Sequence, residues 1–204
     1  MVLTRYHLAM DTELHRLLEL IERLGGVLRA VQRECAAAHG LQPVHLEILD
    51  YLYRCNRFSD TPVAIAAYLG ITKGSVSQSI RQIEARGLVR KLPDAQDRRK
   101  VHVRLTREGR VVLRRCAGAG GRGADDAGLD SASVRGVTAT LMRLLIHLQD
   151  AHGRRMFGQC RNCRHLTGER GAYRCGLTGV TLDADDTRRI CYEYEARPAE
   201  AVPG

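Results

Sequence analysis

The sequence predicts a mainly α-helical fold with a small β wing and a small cysteine-rich tail. Three observations lead there. Aliphatic residues recur at helical spacing through most of the first 150 residues. Two short β-like runs flank a polar, turn-rich tip between residues 88 and 105. Four of the seven cysteines then fall in the last quarter of the chain. Aromatics are scarce and Trp is absent, so a core of Leu, Val, Ile and Ala, suited to helix packing, is expected.

Leu14, Leu17, Leu18, Ile21, Leu24, Leu28 and Val31 define a long amphipathic helix over roughly residues 8–38, ending near Gly40. The Gly25-Gly26 pair weakens it locally and marks a place to bend. Pro43 suits the first turn of a second helix carrying Val44, Ile48, Leu49 and Leu52. Thr61-Pro62 opens a short third helix with Ile65 and Leu69, stopped by Gly70. Thr72 caps a fourth, with Val76, Ile80 and Ile83 facing inward and Gly87 at its end. Leu88–Leu92 and Val101–Leu105 are the β-like runs, joined by Pro-Asp-Ala-Gln-Asp-Arg-Arg-Lys. A helix beginning near Thr106 runs into Ala-Gly-Ala-Gly-Gly-Arg-Gly-Ala-Asp-Asp, residues 117–126, read as the heart of a flexible link over 117–130. Val134, Val137, Leu141, Leu144, Leu145 and Leu148 make the last periodic helix. The texture changes after Gly153, which divides the chain into residues 1–153 and a tail of 154–204.

The formal net charge is +9 and the isoelectric point about 9.5, an electrostatic footprint suited to double-stranded DNA or to a merely solvated basic surface. No apolar run reaches 18 residues, and Met1 to Met10 has no signal-peptide pattern, so a cytoplasmic protein with no membrane partner is expected. Thiols stay reduced there. An odd cysteine count then argues against a disulfide framework and for metal or redox chemistry. No Ser/His/Asp set or Gly-rich phosphate loop suggests an enzyme.

Two short helices around Leu69-Gly70-Ile71, followed by a two-stranded ribbon, make a winged helix-turn-helix. With Val76, Ile80 and Ile83 inward, Lys73, Ser75, Ser77, Gln78 and Arg81 lie on the outer side of the fourth helix. Gln and Arg are natural partners of adenine and guanine edges. The stretches Leu46-Glu-Ile-Leu-Asp-Tyr-Leu, Ile65-Ala-Ala-Tyr-Leu-Gly-Ile-Thr and Val76-Ser-Gln-Ser-Ile-Arg-Gln-Ile-Glu-Ala-Arg-Gly-Leu-Val resemble the MarR family of bacterial transcriptional regulators. So do Asp97-Arg98-Arg99 and Leu105-Thr-Arg-Glu-Gly, and the likeness spans roughly residues 10–150. It implies a homodimer built by the N-terminal helix and the two helices after the wing, bound to a palindromic operator. It also implies Asp97 as the brace of the wing and Arg98 or Arg99 as the minor-groove contact, with Lys100 beside them. A wing gripping only phosphates is the alternative. The glycine-rich link and the cysteine tail depart from the family's pattern.

The tail spacing is Cys160-x2-Cys163-x11-Cys175-x15-Cys191. Two thiolates from one tight turn and two from separate loops complete four ligands, as Zn(Cys)4 and a [4Fe–4S] cluster both require. Cysteine-only zinc sites usually show two Cys-x-x-Cys pairs, so the two lone cysteines favour the cluster. The tail's spacing also resembles small domains of the high-potential iron–sulfur type over roughly residues 156–195. His165 and His152 are near enough in sequence to replace a ligand. Arg161, Arg164, Arg170, Arg174, Arg188 and Arg189 are placed to offset thiolate charge, and Tyr173, Tyr192 and Tyr194 to shield it. Cys35, Cys55 and Cys116 are expected as core or surface thiols.

These readings converge on a DNA-binding regulator, a repressor by preference, whose affinity follows a C-terminal [4Fe–4S] cluster sensing redox state, oxygen or iron. Zinc in the same site is the alternative, and an iron–sulfur electron-transfer or accessory protein is the competing class. Because the tail follows the last helix, its collapse is expected to alter the spacing of paired recognition helices.

Overall fold

The computed structural model describes residues 12–95, 97, 99–121, 128, 130–169 and 172–197. Helix α1 (Thr12–Ala38) continues unbroken through Gly25-Gly26 as one element. It ends where Gly40 turns into the left-handed region at φ 63°. Helix α2 (Pro43–Arg54) begins on its proline. Helix α3 (Pro62–Leu69) is capped by Thr61, whose hydroxyl accepts from Ala64 N–H. Gly70, at φ 66°, makes the tight turn into α4 (Lys73–Ala85), which Thr72 caps by accepting from Ser75 N–H.

The wing is an antiparallel pair, β1 (Val89–Pro93) and β2 (Val101–Leu105), with Val89 opposite Leu105 and Pro93 opposite Val101. The Leu-Thr-Arg-Glu-Gly stretch closes it onto α5 (Arg107–Gly121) for a steric reason. Thr106 donates to the Gly87 carbonyl at 2.7 Å and accepts from Gly109 N–H at 3.1 Å. A Cβ on Gly109 would stand 2.2 Å from the Leu88 carbonyl oxygen, so only glycine lets the helix start this close to the wing. Helix α6 (Ser131–Ala151) is capped by Asp130, which accepts from Ala132 and Ser133 N–H.

Ile48, Leu49, Tyr51, Ile65, Val76, Ile80, Ile83 and Val103 are fully buried where α2, α3, α4 and β2 meet. Each large aliphatic side chain withdrawn there contributes about 1.5–3 kcal/mol. This packing fixes which face of α4 is left for solvent.

Two expectations change. Residues 117–121 of the expected link 117–130 are helical, because α5 continues through Ala117-Gly-Ala-Gly-Gly121. An established helix propagates through residues that could not nucleate one. Residues 122–127 and 129 lie outside the described residues. Cys35 and Cys116 are not separate thiols. Helices α1 and α5 pack side by side, bring the two Cα atoms within 5.6 Å and join the sulfurs in a disulfide. The tail seats on the C-terminal end of α2 and the loop to α3.

The tail contains β3 (Gly158–Gln159), β4 (Leu166–Thr167), β5 (Tyr173–Cys175), β6 (Thr181–Leu182), helix α7 (Ala184–Thr187) and β7 (Ile190–Cys191). Strand β3 pairs with β7, and β4, β5 and β6 form a three-stranded sheet. Cys55 bridges Ile190, and Asn56 N–H donates to the Ile190 carbonyl at 2.9 Å. Phe157 stands edge-on to Tyr68, ring centres 5.1 Å apart, and Arg189 donates to the Tyr53 carbonyl at 3.1 Å.

Candidate functional site

Two surfaces qualify, and one loop joins them. On α4, Val76, Ser79, Ile80 and Ile83 are buried, which leaves Lys73, Ser75, Ser77, Gln78 and Arg81 exposed along one side. Ser79 joins the inward set. Ser75 is partly committed, its Oγ 2.9 Å from Thr72 Oγ1 in the cap. Gln82, also exposed, is held by His45 at 2.9 Å. Lys73, Gln78 and Arg81 thus remain as the long polar side chains on a helix braced from behind by α2 and α3.

The wing tip is organised around its aspartates. Asp97 accepts from Arg99 N–H at 3.0 Å and from Arg99 Nε at 3.4 Å. The Arg99 side chain is nevertheless 94% exposed, so it is oriented by Asp97 and open to solvent. Lys100 is exposed beside it, its N–H donating to the Asp97 carbonyl at 2.8 Å. Arg98, the other groove-contact candidate, lies outside the described residues.

The wing is anchored by a relay that the sequence reading missed. Asp60, buried at the end of the α2–α3 loop, bonds His102 Nδ1 and accepts from Arg104 Nε at 3.3 Å. Its carbonyl accepts from Val103 N–H at 2.6 Å. The other ring nitrogen of His102 lies 2.9 Å from Asp94 at the base of the wing tip. Burial opposes protonation of His102, but its bonds to Asp60 and Asp94 outweigh that and raise its pKa above the ordinary histidine value. Asp60 just before a Thr-Pro helix start reads as turn chemistry, which is why its longer reach went unseen.

Cys160, Cys163, Cys175 and Cys191 all line a single cavity with Phe58, Leu166, Leu177 and Leu182. Cys160 opens a 3-10 turn, Cys163 ends it, Cys175 closes β5 and Cys191 closes β7. Cys160 and Cys163 are buried, and Cys175 and Cys191 half-buried. Asn56, from the α2–α3 loop, lines the same cavity and points its amide at Cys160 Sγ, 3.6 Å away. Next along that loop, Ser59 Oγ accepts from Tyr192 N–H at 2.8 Å. A hydrogen bond between Cys160 and Cys191 lowers the Cys191 pKa and raises that of Cys160, with burial raising Cys160 further. The first thiolate of the pair therefore forms readily and the second resists.

The donor set fits a soft cofactor: four thiols, an apolar wall that limits water, and one amide directed at sulfur. Among the described residues, no three of these sulfurs lie within 4.8 Å of one another. A single zinc ion with about 2.3 Å bonds would draw them to about 3.8 Å.

The shielding expected from Tyr173, Tyr192 and Tyr194 is corrected, since Phe58 and three leucines do it instead. Tyr192 stacks under Arg155, 4.1 Å from the ring centre. The described arginines of the set also miss the cavity lining. Arg174 bonds the Gly179 carbonyl and Arg164 pairs with Glu195. Arg170 lies outside the described residues. His165 does line the cavity, its Nε2 3.2 Å from Glu195. Cys55 lies outside the cavity lining, its thiol pushed up to about 12 chiefly by burial. Among the described residues no helix is long and apolar enough to cross a membrane.

Residues 39–100 match the profile described as the MarR family. An uncharacterized HTH-type transcriptional regulator, YdgJ of Bacillus subtilis, is 28% identical over 92 residues. That alignment takes in 45% of this chain, which spans only 55% of the relative's length. A MarR-family regulator from Silicibacter pomeroyi superposes with a TM-score of 0.54 at 25% identity, over 63% of this chain and 86% of that one. A MarR transcriptional regulator from Methanosarcina mazei Go1 superposes at 0.56 with 21% identity, over 67% and 99%. The fold is the MarR-type winged helix.

Proposed function

We propose that this chain, built on the MarR-type winged helix, is a sequence-specific transcriptional regulator that binds a palindromic operator as a homodimer. Its grip on DNA depends on a cofactor held by Cys160, Cys163, Cys175 and Cys191, a [4Fe–4S] cluster in preference to zinc. One observation carries this reading: four cysteines spread along the tail converge on one cavity, and the winged core's own α2–α3 loop lines it. The two lone cysteines, Cys175 and Cys191, in place of a second Cys-x-x-Cys pair favour the cluster over a single ion. When bound, a cluster supplies electron-transfer and oxidative chemistry that a zinc ion lacks. Asn56 orients Cys160, the apolar wall limits water, and Ser59 holds the β7 end against the loop that anchors the wing.

DNA binding is supported by the bare polar side of α4, the exposed Arg99 and the net charge of +9. Arg81→Ala is expected to cost about 1–3 kcal/mol on the specific site and to relax discrimination there. Arg99→Ala is expected to weaken binding evenly across sequences and to reduce the salt slope by about one. Mobility-shift titrations at several salt concentrations check both, and operator affinity unchanged in the two variants would end the DNA-reading assignment.

The homodimer rests on apolar surface left bare. Val134, Val137, Leu141, Met142, Leu145 and Leu148 are exposed along α6, which buries none of its residues, and α1 exposes Leu20, Leu24, Val27 and Leu28. Such a stripe calls for cover by a second copy. Sedimentation at micromolar concentration is expected to give a dimer, and a folded monomer would contradict it.

A further inference from the structure

A second cysteine group lies away from the tail. Cys35 lies in the last turn of α1 and His39 directly follows the helix end, its ring folding back onto that turn. Cys116 meets them from α5. His39 Nδ1 is 3.8 Å from Cys35 Sγ and 3.0 Å from the Cys35 carbonyl oxygen. The ligand atoms of Cys35, His39 and Cys116 all lie within 4.8 Å of one another, and all three residues are half-buried. Among the described residues no other group of cysteine, histidine and acidic side chains is gathered this closely.

We propose that Cys35, His39 and Cys116 form a thiol-gated zinc site. In the oxidised chain the two sulfurs are bonded to each other, as the structure has them. In the reduced chain two thiolates and one imidazole take a zinc ion, with the fourth position open to water. Sulfur and nitrogen donors suit zinc and poorly suit magnesium or calcium. The gate balances chemically. A dithiol reductant is oxidised to its own disulfide and supplies two electrons and two protons, leaving Cys35 and Cys116 as thiols. Zinc then displaces those two protons. Oxidation excludes the ion because a disulfide sulfur carries no thiolate charge. Helices α1 and α5 are tied in both states, but only the reduced tie comes apart with a chelator. The proposal is independent of what the tail holds.

The test uses the full chain, reduced with a dithiol, desalted and titrated with zinc against a chromophoric chelator. Cys35→Ser and Cys116→Ser are each expected to bind one zinc per chain fewer than the wild type. The tail ligands are the same in all three proteins, so the difference isolates this site. Wild type oxidised to the Cys35–Cys116 bond, located by peptide mass mapping, is expected to lose the same equivalent. His39→Ala keeps both cysteines and their bond, so it reads the site even where a serine variant folds poorly. It is expected to weaken this zinc at least about tenfold, the scale on which even outer-shell groups are felt. Equal zinc binding by reduced wild type and Cys35→Ser, or unchanged affinity in His39→Ala, overturns the proposal.

Discussion

Asp60→Ala is expected to destabilise the protein by about 2–4 kcal/mol and to loosen the wing. The side chain is 7% exposed and bonds both His102 and Arg104 of β2. A hydrogen bond to a charged group contributes about 1.5–3 kcal/mol. Arg104 is half-exposed, so its share is small and His102 dominates. The backbone bond from Val103 survives the substitution, which is why unfolding of the whole domain is not expected. Urea titration gives the loss of stability, and DNA titration is expected to show weaker binding as the wing tip loses its anchor. A loss below about 1 kcal/mol would mean the backbone bond holds the wing by itself. The same relay predicts a pH dependence. The folded pKa of His102 is raised, so its contribution is full below the ordinary value of about 6.5 and is lost as pH rises through the folded value. Wild-type stability is therefore expected to fall across that window, and Asp60→Ala to flatten the fall.

The winged helix was legible because each of its signals is local. Pro43, Thr61-Pro62, Gly70 and Thr72 announce helix ends through backbone chemistry, and Val76, Ile80 and Ile83 announce a face through spacing. The four tail cysteines were legible as a set for the same reason, their spacing being a one-dimensional feature. What escaped depends on contacts far apart in sequence. Asn56 meets Cys160 across 104 positions, Asp60 meets His102 across 42, and Cys35 meets Cys116 across 81. No periodicity encodes those meetings. The tyrosines misled because a ring near a cysteine in sequence need not face it. Tyr192 follows Cys191 directly, yet its ring packs between Phe157 and Arg155.

Each of Cys160→Ser, Cys163→Ser, Cys175→Ser and Cys191→Ser is expected to remove most of the bound cofactor. The four line one cavity, and loss of any one leaves an incomplete ligand set. Cys35→Ser, Cys55→Ser and Cys116→Ser lie outside that cavity and are expected to leave the cofactor in place. An absorption spectrum of anaerobically purified protein reads this directly. A broad visible band marks iron–sulfur, and a colourless sample with stoichiometric zinc bound by the tail marks the alternative. The consequence for DNA has a shorter route than a change in dimer spacing. Asn56, Ser59 and Asp60 stand within one loop: the first reaches Cys160, the second holds Tyr192 next to Cys191, and the third anchors β2. A shift of Cys160 or Cys191 therefore pulls on the segment that fixes the wing, within one subunit. A second route remains in the paired recognition helices, which must sit about 34 Å apart to meet successive major grooves. Loss of the cofactor is expected to change operator affinity at least about tenfold, roughly 1.4 kcal/mol of coupling. Asp60→Ala separates the routes, because it removes the loop's side-chain bonds to His102 and Arg104 and leaves the dimer helices alone. Retained coupling in Asp60→Ala would assign the effect to helix spacing. Identical affinities for cofactor-loaded, cofactor-free and Cys175→Ser protein would make the tail a structural staple and nothing more.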